Sequence, residues 1–424
     1  MSIAPNVGGL ARSGDVRGYV EALGLACRGP VDGHDLPALL DALAALRDAP
    51  GPTVLHVRTR KGRGFAPAEA DPFGWHATAP FERASGRRRP AAGAAPPTWT
   101  VCFAEALARV AARDPRVVAI TAAMPDGTGL DRFAARFPDR VYDVGIAEQH
   151  AVTFAAGLAS EGLRPVCAIY SSFLQRAFDQ VVHDVALQEL PVTFALDRAG
   201  LVGADGPTHH GVLDLAYLRA IPSLVVAAPR DENELQHLLA TAIESGRPFA
   251  LRFPRGAARG VALDPDPKPL AIGRGELLRD GADVALLALG KTVPAALLAA
   301  GALAAQGISA AVVDARFAKP LDEALLGDVA ERIGVVVTVE DHVLAGGFGS
   351  AVLEVLAARA PGTRVRRLGI DDRIVEHAEP DAQWRAVGID ADAIAEAARA
   401  ALADGVRAAP HDARRFAPGV RARR

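Results

Sequence analysis

The sequence predicts an α/β protein built mostly from parallel β-sheets. Between residues 99 and 263, short apolar runs of strand length alternate with longer segments of helical period, and the same alternation returns between residues 284 and 403. Strands that alternate with helices form βαβ units, in which each helix connects two parallel strands. The stretch 86–97, which contains proline, glycine, alanine and arginine, and the proline-rich stretch 264–269 are interpreted as linkers that divide the chain into three parts.

Composition limits the classes of function. The 424 residues are 50% hydrophobic and 23% charged, which is ordinary for a globular protein. Lys and Arg number 47 against 50 Asp and Glu, so the charge indicates no nucleic acid or membrane partner. The three cysteines, Cys27, Cys102 and Cys167, form no CxxC pair, and the N-terminus lacks a secretory pattern. We therefore expect a cytoplasmic protein.

The first part, residues 1–92, supplies about one αβ unit. We expect loop at 1–9, and a unit this small cannot bury a core of its own, so it should need a further domain. Its predicted elements are a helix at 15–26, a turn at 29–35, a helix at 36–47 and a strand at 53–59.

The second part spans 93–263 and the third spans 270–405, with a disordered tail expected at 406–424. In the second part we predict a helix at 99–113, a helix opening near Glu148, and strands at 117–121, 141–145, 166–170, 192–197 and 223–228. In the third part we predict strands at 284–289, 310–315, 334–340 and 365–368, with helices at 292–305, 322–332, 347–359 and 391–403.

Polar and aromatic residues collect in the turns that follow strands of the second part. Glu148 stands where an apolar strand gives way to a helix, although a lone glutamate there most often only stabilises its helix. The runs 168–184 and 196–211 likewise crowd polar and aromatic groups beside strands. Because the carboxyl ends of parallel strands meet at one edge of a sheet, these runs predict a ligand site there.

The segment around Glu148 and the runs 168–184 and 196–211, taken in their order along the chain, resemble the 1-deoxy-D-xylulose-5-phosphate synthases. These form a family of thiamine-diphosphate enzymes in the transketolase superfamily. The resemblance runs from about residue 28 to about residue 402. It implies two thiamine-diphosphate-binding domains, of which 1–92 is a remnant of the first, followed by a C-terminal transketolase-type α/β domain. The motifs that carry it are Ile-Ala-Glu-Gln-His at 146–150, Tyr-Ser-Ser-Phe-Leu-Gln-Arg at 170–176, Asp-Arg-Ala-Gly at 197–200 and Gly-Ala-Asp-Gly-Pro-Thr-His at 203–209.

The resemblance implies a set of cofactor contacts. Glu148 matches the family's glutamate that bonds to the pyrimidine nitrogen of thiamine diphosphate, and Phe173 and Arg176 match positions around the pyrimidine ring. Lys61 matches a lysine beside the cofactor, and His76 a catalytic histidine near the reacting carbon. Core packing for Phe173 and a solvated surface position for Lys61 stay open as alternatives.

The resemblance also implies the substrates, pyruvate and D-glyceraldehyde 3-phosphate. Arg198 and Arg255 match phosphate-binding positions, which suits the fork geometry of guanidinium groups, and Tyr170 matches a hydroxyl donor. Asp205 and the catalytic His209 match residues that bind substrate hydroxyls and relay protons. Each arginine by itself is about equally expected in an ordinary salt bridge.

The implied reaction is a decarboxylative carboligation that yields 1-deoxy-D-xylulose 5-phosphate, a precursor of isoprenoids, thiamine and pyridoxal. The family binds Mg²⁺ through a Gly-Asp-Gly motif and a downstream asparagine, and neither occurs here, so we expect no metal ligand in this chain. Most of the N-terminal domain should be missing. We expect a homodimer, with a second chain as one source of the missing domain; a split transketolase-like subunit and an inactive remnant are the alternatives.

Two further features are interpreted as packing. Phe178 and Val182 follow the Phe173 motif and are predicted to lie in the core. The glycine-rich run at 345–351 lacks the Gly-x-Gly-x-x-Gly spacing of a nucleotide loop, and tight packing at a domain interface is the better interpretation.

Overall fold

The computed structural model describes residues 16–72, 74–76, 78, 80–87 and 96–403. Contacts divide the chain into two units, Met1–Ala95 and Pro96–Arg424. The loop predicted at 1–9 and the tail predicted at 406–424 lie outside the described residues. Each unit is described separately below.

The first unit is built around a two-stranded parallel sheet. β1 (Ala26–Asp32) pairs with β2 (Thr53–Arg58), and the helix Leu36–Arg47 connects them. The helix has its predicted bounds because the Asp35 side chain accepts a hydrogen bond from the amide of Ala38, at 3.1 Å. The prediction of β1 as a helix end and turn was wrong. The first helix ends at Ala22. The strand β1 was not predicted because it contains a glycine and a proline, which are uncommon inside strands.

This unit has little core. Within its described part, the buried hydrophobic residues are Val20 and Ala68. The connecting helix instead exposes Leu36 (65%), Leu40 (65%) and Leu43 (48%), whose spacing places them on one face. A helix of this kind is normally stabilised by packing its apolar face against another element.

The second unit contains a seven-stranded sheet and a five-stranded sheet, which confirms the predicted α/β class. The strands of the larger sheet are β3 (Val117–Thr121), β4 (Val141–Asp143), β5 (Arg164–Tyr170), β6 (Thr193–Asp197), β7 (Val225–Ala227), β8 (Phe249–Arg252) and β12 (Phe317–Lys319). They run in the order β12-β7-β8-β6-β5-β3-β4, and every neighbouring pair is parallel except β12 with β7. The central strands are buried on both faces, so they read as continuous apolar runs.

Helices cover the faces of the larger sheet. An irregular helical segment at 171–186 follows β5 and ends in a π-helical turn at Val181–Ala186. The other helices are Trp99–Arg113, Leu130–Arg136, Glu148–Ser160, Asp214–Arg219 and Glu232–Glu244.

The smaller sheet belongs to the C-terminal part of the chain. Its strands are β9 (Glu276–Arg279), β10 (Val284–Ala288), β11 (Ala310–Asp314), β13 (Val335–Val343) and β14 (Arg364–Ile370), in the order β14-β13-β10-β11-β9. Only β9 is antiparallel to its neighbour. The helices of this part are Val293–Ala304, Glu323–Ile333, Phe348–Arg359, Pro380–Val387 and Ala391–Ala403. Among the described residues, no helix has the length and apolar character needed to cross a bilayer.

One strand crosses between the two predicted parts. β12 lies in the predicted third part of the chain, yet it pairs with β7 at the edge of the larger sheet, where Phe317 stands opposite Ala227. Phe317 is fully buried there. The C-terminal part of the chain, which forms the smaller sheet, therefore also contributes an edge strand to the larger sheet, and this links the two sheets.

Candidate functional site

The candidate site lies where neighbouring strands of the larger sheet end. Tyr170 closes β5 and stands directly opposite Asp197, which closes β6. Glu148 begins the helix that follows β4, two strands away. The residues after each of these strand ends therefore meet along one edge of the sheet, as predicted.

Glu148 is a buried carboxyl group at the start of a helix. The residue is only 3% exposed and opens the helix Glu148–Ser160. Among the described residues, Arg176 alone hydrogen-bonds the carboxylate, from its Nη1 to Oε1 at 3.2 Å. The Arg176 side chain is 52% exposed. A buried carboxylate with one partially exposed cation partner has acceptor capacity left for a ligand.

Aromatic rings line the space beside Glu148. Phe173 stacks on Tyr170 with 5.2 Å between ring centroids and meets the His209 ring edge-on at 5.4 Å. The Arg176 guanidinium lies 5.0 Å from the Phe173 ring centroid. Phe173 is half-buried: it packs against the hydrophobic core and leaves part of its surface accessible. Together these contacts bring Glu148, Phe173, Arg176, Tyr170 and His209 into one cluster.

Arg198 is held in place by several groups. Its Nη1 lies 2.7 Å from Oδ2 of Asp197 and donates to the carbonyl of Gly127 at 2.6 Å and to the hydroxyl of Thr100 at 3.1 Å. Its guanidinium lies 4.2 Å from the centroid of the Tyr170 ring. Its buried Nε has no hydrogen-bond partner in the described part of the chain. The backbone of Arg198 also has a positive φ of 63°, which is uncommon for a residue with a side chain.

Burial shifts the pKa of two neighbours of Arg198. It raises the pKa of Tyr170 to about 12, so the phenol stays a hydrogen-bond donor at neutral pH. It also raises the pKa of Asp197 to about 6, against the opposing effect of Arg198 and the Thr100 hydroxyl. The Tyr170 hydroxyl lies so close to Gly127 that a Cβ there would overlap it. A larger residue at 127 would therefore have to displace the Tyr170 side chain.

Arg255 and Asp205 form a pair at the rim of the site. The Arg255 Nε lies 2.8 Å from the Asp205 Oδ2, and both side chains are about one-third exposed. His209, four residues after Asp205, has its Nδ1 2.9 Å from the Thr208 hydroxyl. Thus each arginine predicted to bind phosphate has a carboxylate partner, Asp197 for Arg198 and Asp205 for Arg255.

Lys61 and His76 belong to the first unit. The Lys61 Nζ lies 2.9 Å from the His76 Nδ1, and both residues are exposed. Their contact joins two residues that the resemblance assigned separately, one to the cofactor and one to the reacting carbon.

Sequence reasoning missed three residues that hold the site together. Thr100, Gly127 and Asp197 position Arg198 from three different elements. Only Asp197 carried a sequence signal, since it belongs to the Asp-Arg-Ala-Gly motif. Phe178, predicted to be core, is 41% exposed and meets Tyr217 edge-on.

The described residues provide no site for a metal ion, and none for an anion at the glycine-rich run. Those residues contain no group of three or more His, Cys, Asp or Glu side chains that could hold a metal ion. The glycine-rich run at 345–351 opens the helix Phe348–Arg359, where an anion would bind. That position is already filled by the buried Glu340 carboxylate, which accepts from the amides of Phe348 and Gly349 at 2.6 and 2.8 Å.

The chain matches three known families. It matches the transketolase pyrimidine-binding domain over residues 95–260 and the transketolase C-terminal domain over residues 273–394. Residues 14–59 match the 1-deoxy-D-xylulose-5-phosphate synthase family.

Its curated relatives include two bacterial proteins. One is the 1-deoxy-D-xylulose-5-phosphate synthase of Aquifex aeolicus, 56% identical over 385 residues that cover 91% of this chain and 61% of the relative. Another is the 1-deoxy-D-xylulose-5-phosphate synthase 1 of Geobacter sulfurreducens, 56% identical over 386 residues, with 90% and 60% covered. The chain thus spans about 60% of the length of these relatives.

Solved structures of transketolases are similar to this chain. A split-gene transketolase described as an inactive β4 tetramer aligns with a TM-score of 0.67 and 34% identity, covering 72% of this chain and 98% of that one. A transketolase from Pichia stipitis aligns with a TM-score of 0.57 at 21% identity, which shows a shared fold.

Proposed function

This chain belongs to the 1-deoxy-D-xylulose-5-phosphate synthase family of thiamine-diphosphate-dependent, transketolase-type enzymes, and on that basis we propose that it forms the pyrimidine-binding and C-terminal parts of such a synthase. The reaction would join pyruvate to D-glyceraldehyde 3-phosphate with loss of CO₂. The observation that carries the proposal is the buried Glu148 carboxylate beside the half-buried Phe173 ring.

The residues of the second unit fit the pyrimidine half of thiamine diphosphate. The Glu148 carboxylate has acceptor capacity beyond its bond to Arg176, and the ring nitrogen of a protonated or imino pyrimidine is a donor of matching chemistry. The face of Phe173 suits a flat heterocycle. When bound, thiamine diphosphate supplies the carbon nucleophile that adds to the keto acid. Lys61 would lie beside the cofactor.

Glu148 would keep the pyrimidine in the protonation state the reaction needs. Its side chain is buried, so water competes little for the hydrogen bond it would accept. Phe173 and Arg176 would fix the ring in place, since both already contact one another beside the carboxylate.

The acceptor phosphate would bind to Arg198 and Arg255. Arg198 has a buried Nε–H without a partner in the described residues, which supports an anionic ligand near it. Tyr170 would add a neutral hydroxyl donor. Asp205 would bind substrate hydroxyls, and His209 would move a proton near them; His76 would act near the reacting carbon. The Mg²⁺ ion of the family would be held by residues of another segment, because the described residues contain no group of three or more His, Cys, Asp or Glu side chains that could hold a metal ion.

The missing part of the site would come from another polypeptide segment. The chain spans about 60% of its relatives' length, and its first unit exposes the apolar helix face formed by Leu36, Leu40 and Leu43. We propose that this face is covered by the rest of an N-terminal domain, and that the complete assembly is a homodimer in the cytoplasm.

A split transketolase-like subunit is the second candidate. The split-gene transketolase neighbour is covered almost completely, at 98%, by this chain. Product analysis would separate the two candidates, since a transketolase transfers two carbons between sugar phosphates without releasing CO₂. Release of ¹⁴CO₂ from [1-¹⁴C]pyruvate that depends on D-glyceraldehyde 3-phosphate would favour the synthase.

The first test is a calorimetric titration of thiamine diphosphate into the purified chain, with Mg²⁺ and again with EDTA. Binding that requires Mg²⁺ would support a complete cofactor site in the chain. Weak binding that is indifferent to Mg²⁺ would support a pyrimidine half-site that needs a further domain. No heat at millimolar cofactor, together with no gain on adding a separately expressed N-terminal domain from the Aquifex relative, would overturn the proposal and leave an inactive remnant.

A further inference from the structure

The loop at 200–211 carries two of the proposed substrate residues, Asp205 and His209. Its ends are tied together by reciprocal backbone hydrogen bonds between Gly200 and Gly211, at 2.8 and 2.9 Å. Between those ends, Gly203 and Gly206 have positive φ values of 70° and 75°. A loop of this composition has many accessible backbone conformations, so its observed shape must be imposed by contacts with other elements.

The first such contact comes from the β10 and β13 region of the C-terminal sheet. The buried Asp341 carboxylate accepts a hydrogen bond from the amide of Leu201 with both oxygens, at 3.1 and 3.2 Å. Lys291 pairs with Asp341 at 2.5 Å and donates to the carbonyl of Leu201 at 3.2 Å. The pair therefore holds both backbone polar groups of Leu201. The approach is close, because a Cβ at Gly200 would overlap the Asp341 carboxylate.

The second contact comes from the helix Pro380–Val387. Gln383 is 1% exposed, and its Oε1 accepts from the amide of Gly203 at 2.9 Å, while its Nε2 donates to the Gly203 carbonyl at 3.3 Å. The same Nε2 donates to the carbonyl of Glu376 at 2.8 Å. Gln383 thus holds Gly203 in the way that the pair holds Leu201, two residues earlier.

A third contact completes the attachment. His210 accepts from the amide of Val202 at its Nδ1, at 3.1 Å, so its Nε2 carries the proton and donates to the carbonyl of Val375 at 3.1 Å. Burial lowers the pKa of His210, which favours this neutral form. His377 packs against Gly206, where a Cβ would come within 3.1 Å of the His377 Cβ.

We propose that Gln383 and the Lys291–Asp341 pair are positioning residues that set the conformation of the loop 200–211 and thereby the placement of Asp205 and His209. The inference rests on the proposed function for the role of those two side chains. The C-terminal domain then contributes to substrate recognition without contacting the substrate. It does so by hydrogen-bonding both the amide and the carbonyl of Leu201 and of Gly203 in the loop.

The test compares variants of the full chain by two readouts. Hydrogen–deuterium exchange reports protection of the Leu201 and Gly203 amides, and the ring signal of His209 in a ¹H–¹³C spectrum reports its place beside Phe173, whose centroid lies 5.4 Å away. Gln383→Met keeps the side-chain length but removes the two hydrogen bonds to Gly203, together with the one to the Glu376 carbonyl. Asp341→Ala removes the first contact, and Asp341→Asn retains an oxygen that can accept from Leu201. Ile394→Val, in the fully buried core of the same domain, is the control for general loss of stability.

We expect at least tenfold faster exchange at Gly203 in Gln383→Met and at Leu201 in Asp341→Ala, with the His209 signal shifted towards that of an unstructured histidine. Asp341→Asn should recover much of the Asp341→Ala effect, and Ile394→Val should leave the His209 signal in place. A His209 signal unmoved in both Gln383→Met and Asp341→Ala would overturn the inference. Failure of the wild-type chain to bind thiamine diphosphate, both alone and with the separately expressed N-terminal domain, would instead count against the proposed function. The two outcomes are distinguishable because neither readout of the loop needs a ligand.

Discussion

The proposed reaction depends most directly on the side chain of Glu148, so substitution of this residue should have a large effect on turnover. Glu148→Gln keeps the size of the group but removes the charge that pairs with Arg176. In an active assembly we expect turnover to fall by about 10²–10⁴-fold, the usual contribution of a group that controls a proton in catalysis. The measurement is release of CO₂ from pyruvate in the presence of D-glyceraldehyde 3-phosphate.

Glu105→Gln is the matched control for that substitution. Glu105 also pairs with an arginine, Arg136, at 2.7 Å, but both side chains are roughly half exposed. An exposed pair contributes on the order of 0–1 kcal/mol, so neither turnover nor stability should change much. Equal losses of turnover in the two variants would contradict a special role for Glu148.

His342 makes stability depend on pH. This fully buried histidine donates from Nδ1 to the carbonyl of Val343 and has Asp214, Arg252 and Glu340 around it, and burial lowers its pKa to about 4. A depressed pKa in the folded state means that the fold favours the neutral ring. The contribution of His342 to the free energy of unfolding is therefore complete above the unfolded pKa of about 6.5 and is lost as the pH falls towards 4.

The measurement is urea unfolding of the wild type and His342→Gln between pH 4 and pH 8. We expect the wild type to lose more stability than the variant over the interval from about 6.5 to 4, by an amount on the order of 1–3 kcal/mol. Parallel pH profiles for the two proteins would show that His342 stays unshifted in the fold.

The residues of the candidate site were accessible to sequence reasoning to different degrees. Glu148, Phe173, Arg198 and His209 lie in runs where polar groups follow strands, so their gathering at one edge followed from parallel-sheet geometry. The partners of Arg198 did not follow from the sequence, because Thr100 comes from a helix about a hundred residues earlier in the chain. Contacts of such long range are fixed by packing and have no local pattern.

At the scale of single elements, the helix Glu148–Ser160 provides a test of backbone entropy. Gly157 lies on its exposed face, and a Cβ there would meet nothing within 4 Å. Gly157→Ala should therefore stabilise the fold by about 0.5–1 kcal/mol, because alanine loses less conformational freedom than glycine. Thermal or urea unfolding measures the change.

Gly127→Ala is the opposite case. A Cβ at 127 would overlap the hydroxyl of Tyr170, and the Gly127 carbonyl also accepts from Arg198. We expect this variant to be destabilised and to bind a phosphate ligand less tightly, with glycerol 3-phosphate as the probe in calorimetry. Unchanged stability and affinity would mean that Tyr170 can move without cost.

Long, strongly periodic elements were predicted well, and short or irregular ones were not. The helix at 99–113 and the strand at 117–121 have their predicted bounds, because each is an uninterrupted apolar pattern. The sequence did not predict three short strands, β8, β9 and β12, because each has four residues or fewer. It also did not predict the helix Pro380–Val387, because the exposed surface of that helix is polar. Pairing partners define short strands more than their own residues do.

At the scale of the whole second unit, two features make the larger and smaller sheets depend on one another. The first is β12, which pairs with β7 although it follows β11 in the chain. The second is an ionic cluster in which Arg230 reaches Glu276 at 2.7 Å and Asp314 at 3.1 Å. Arg316 also contacts Glu234, at 2.6 Å, and Glu276. The cluster joins the helix region that begins after β7 to the edge strand β9 and to its neighbour β11.

This organisation predicts that residues 96–403 unfold as one cooperative unit and that Arg230→Met lowers the whole transition. Asp314 is fully buried, so removing Arg230 leaves its charge short of a partner and should cost about 3 kcal/mol. Adding Asp314→Asn should recover part of that loss, because the double variant no longer buries the uncompensated carboxylate. Differential scanning calorimetry of the three proteins measures both effects. Two separate transitions, of which only one responds to Arg230→Met, would mean that the sheets fold independently and that β12 and the cluster contribute little to their coupling.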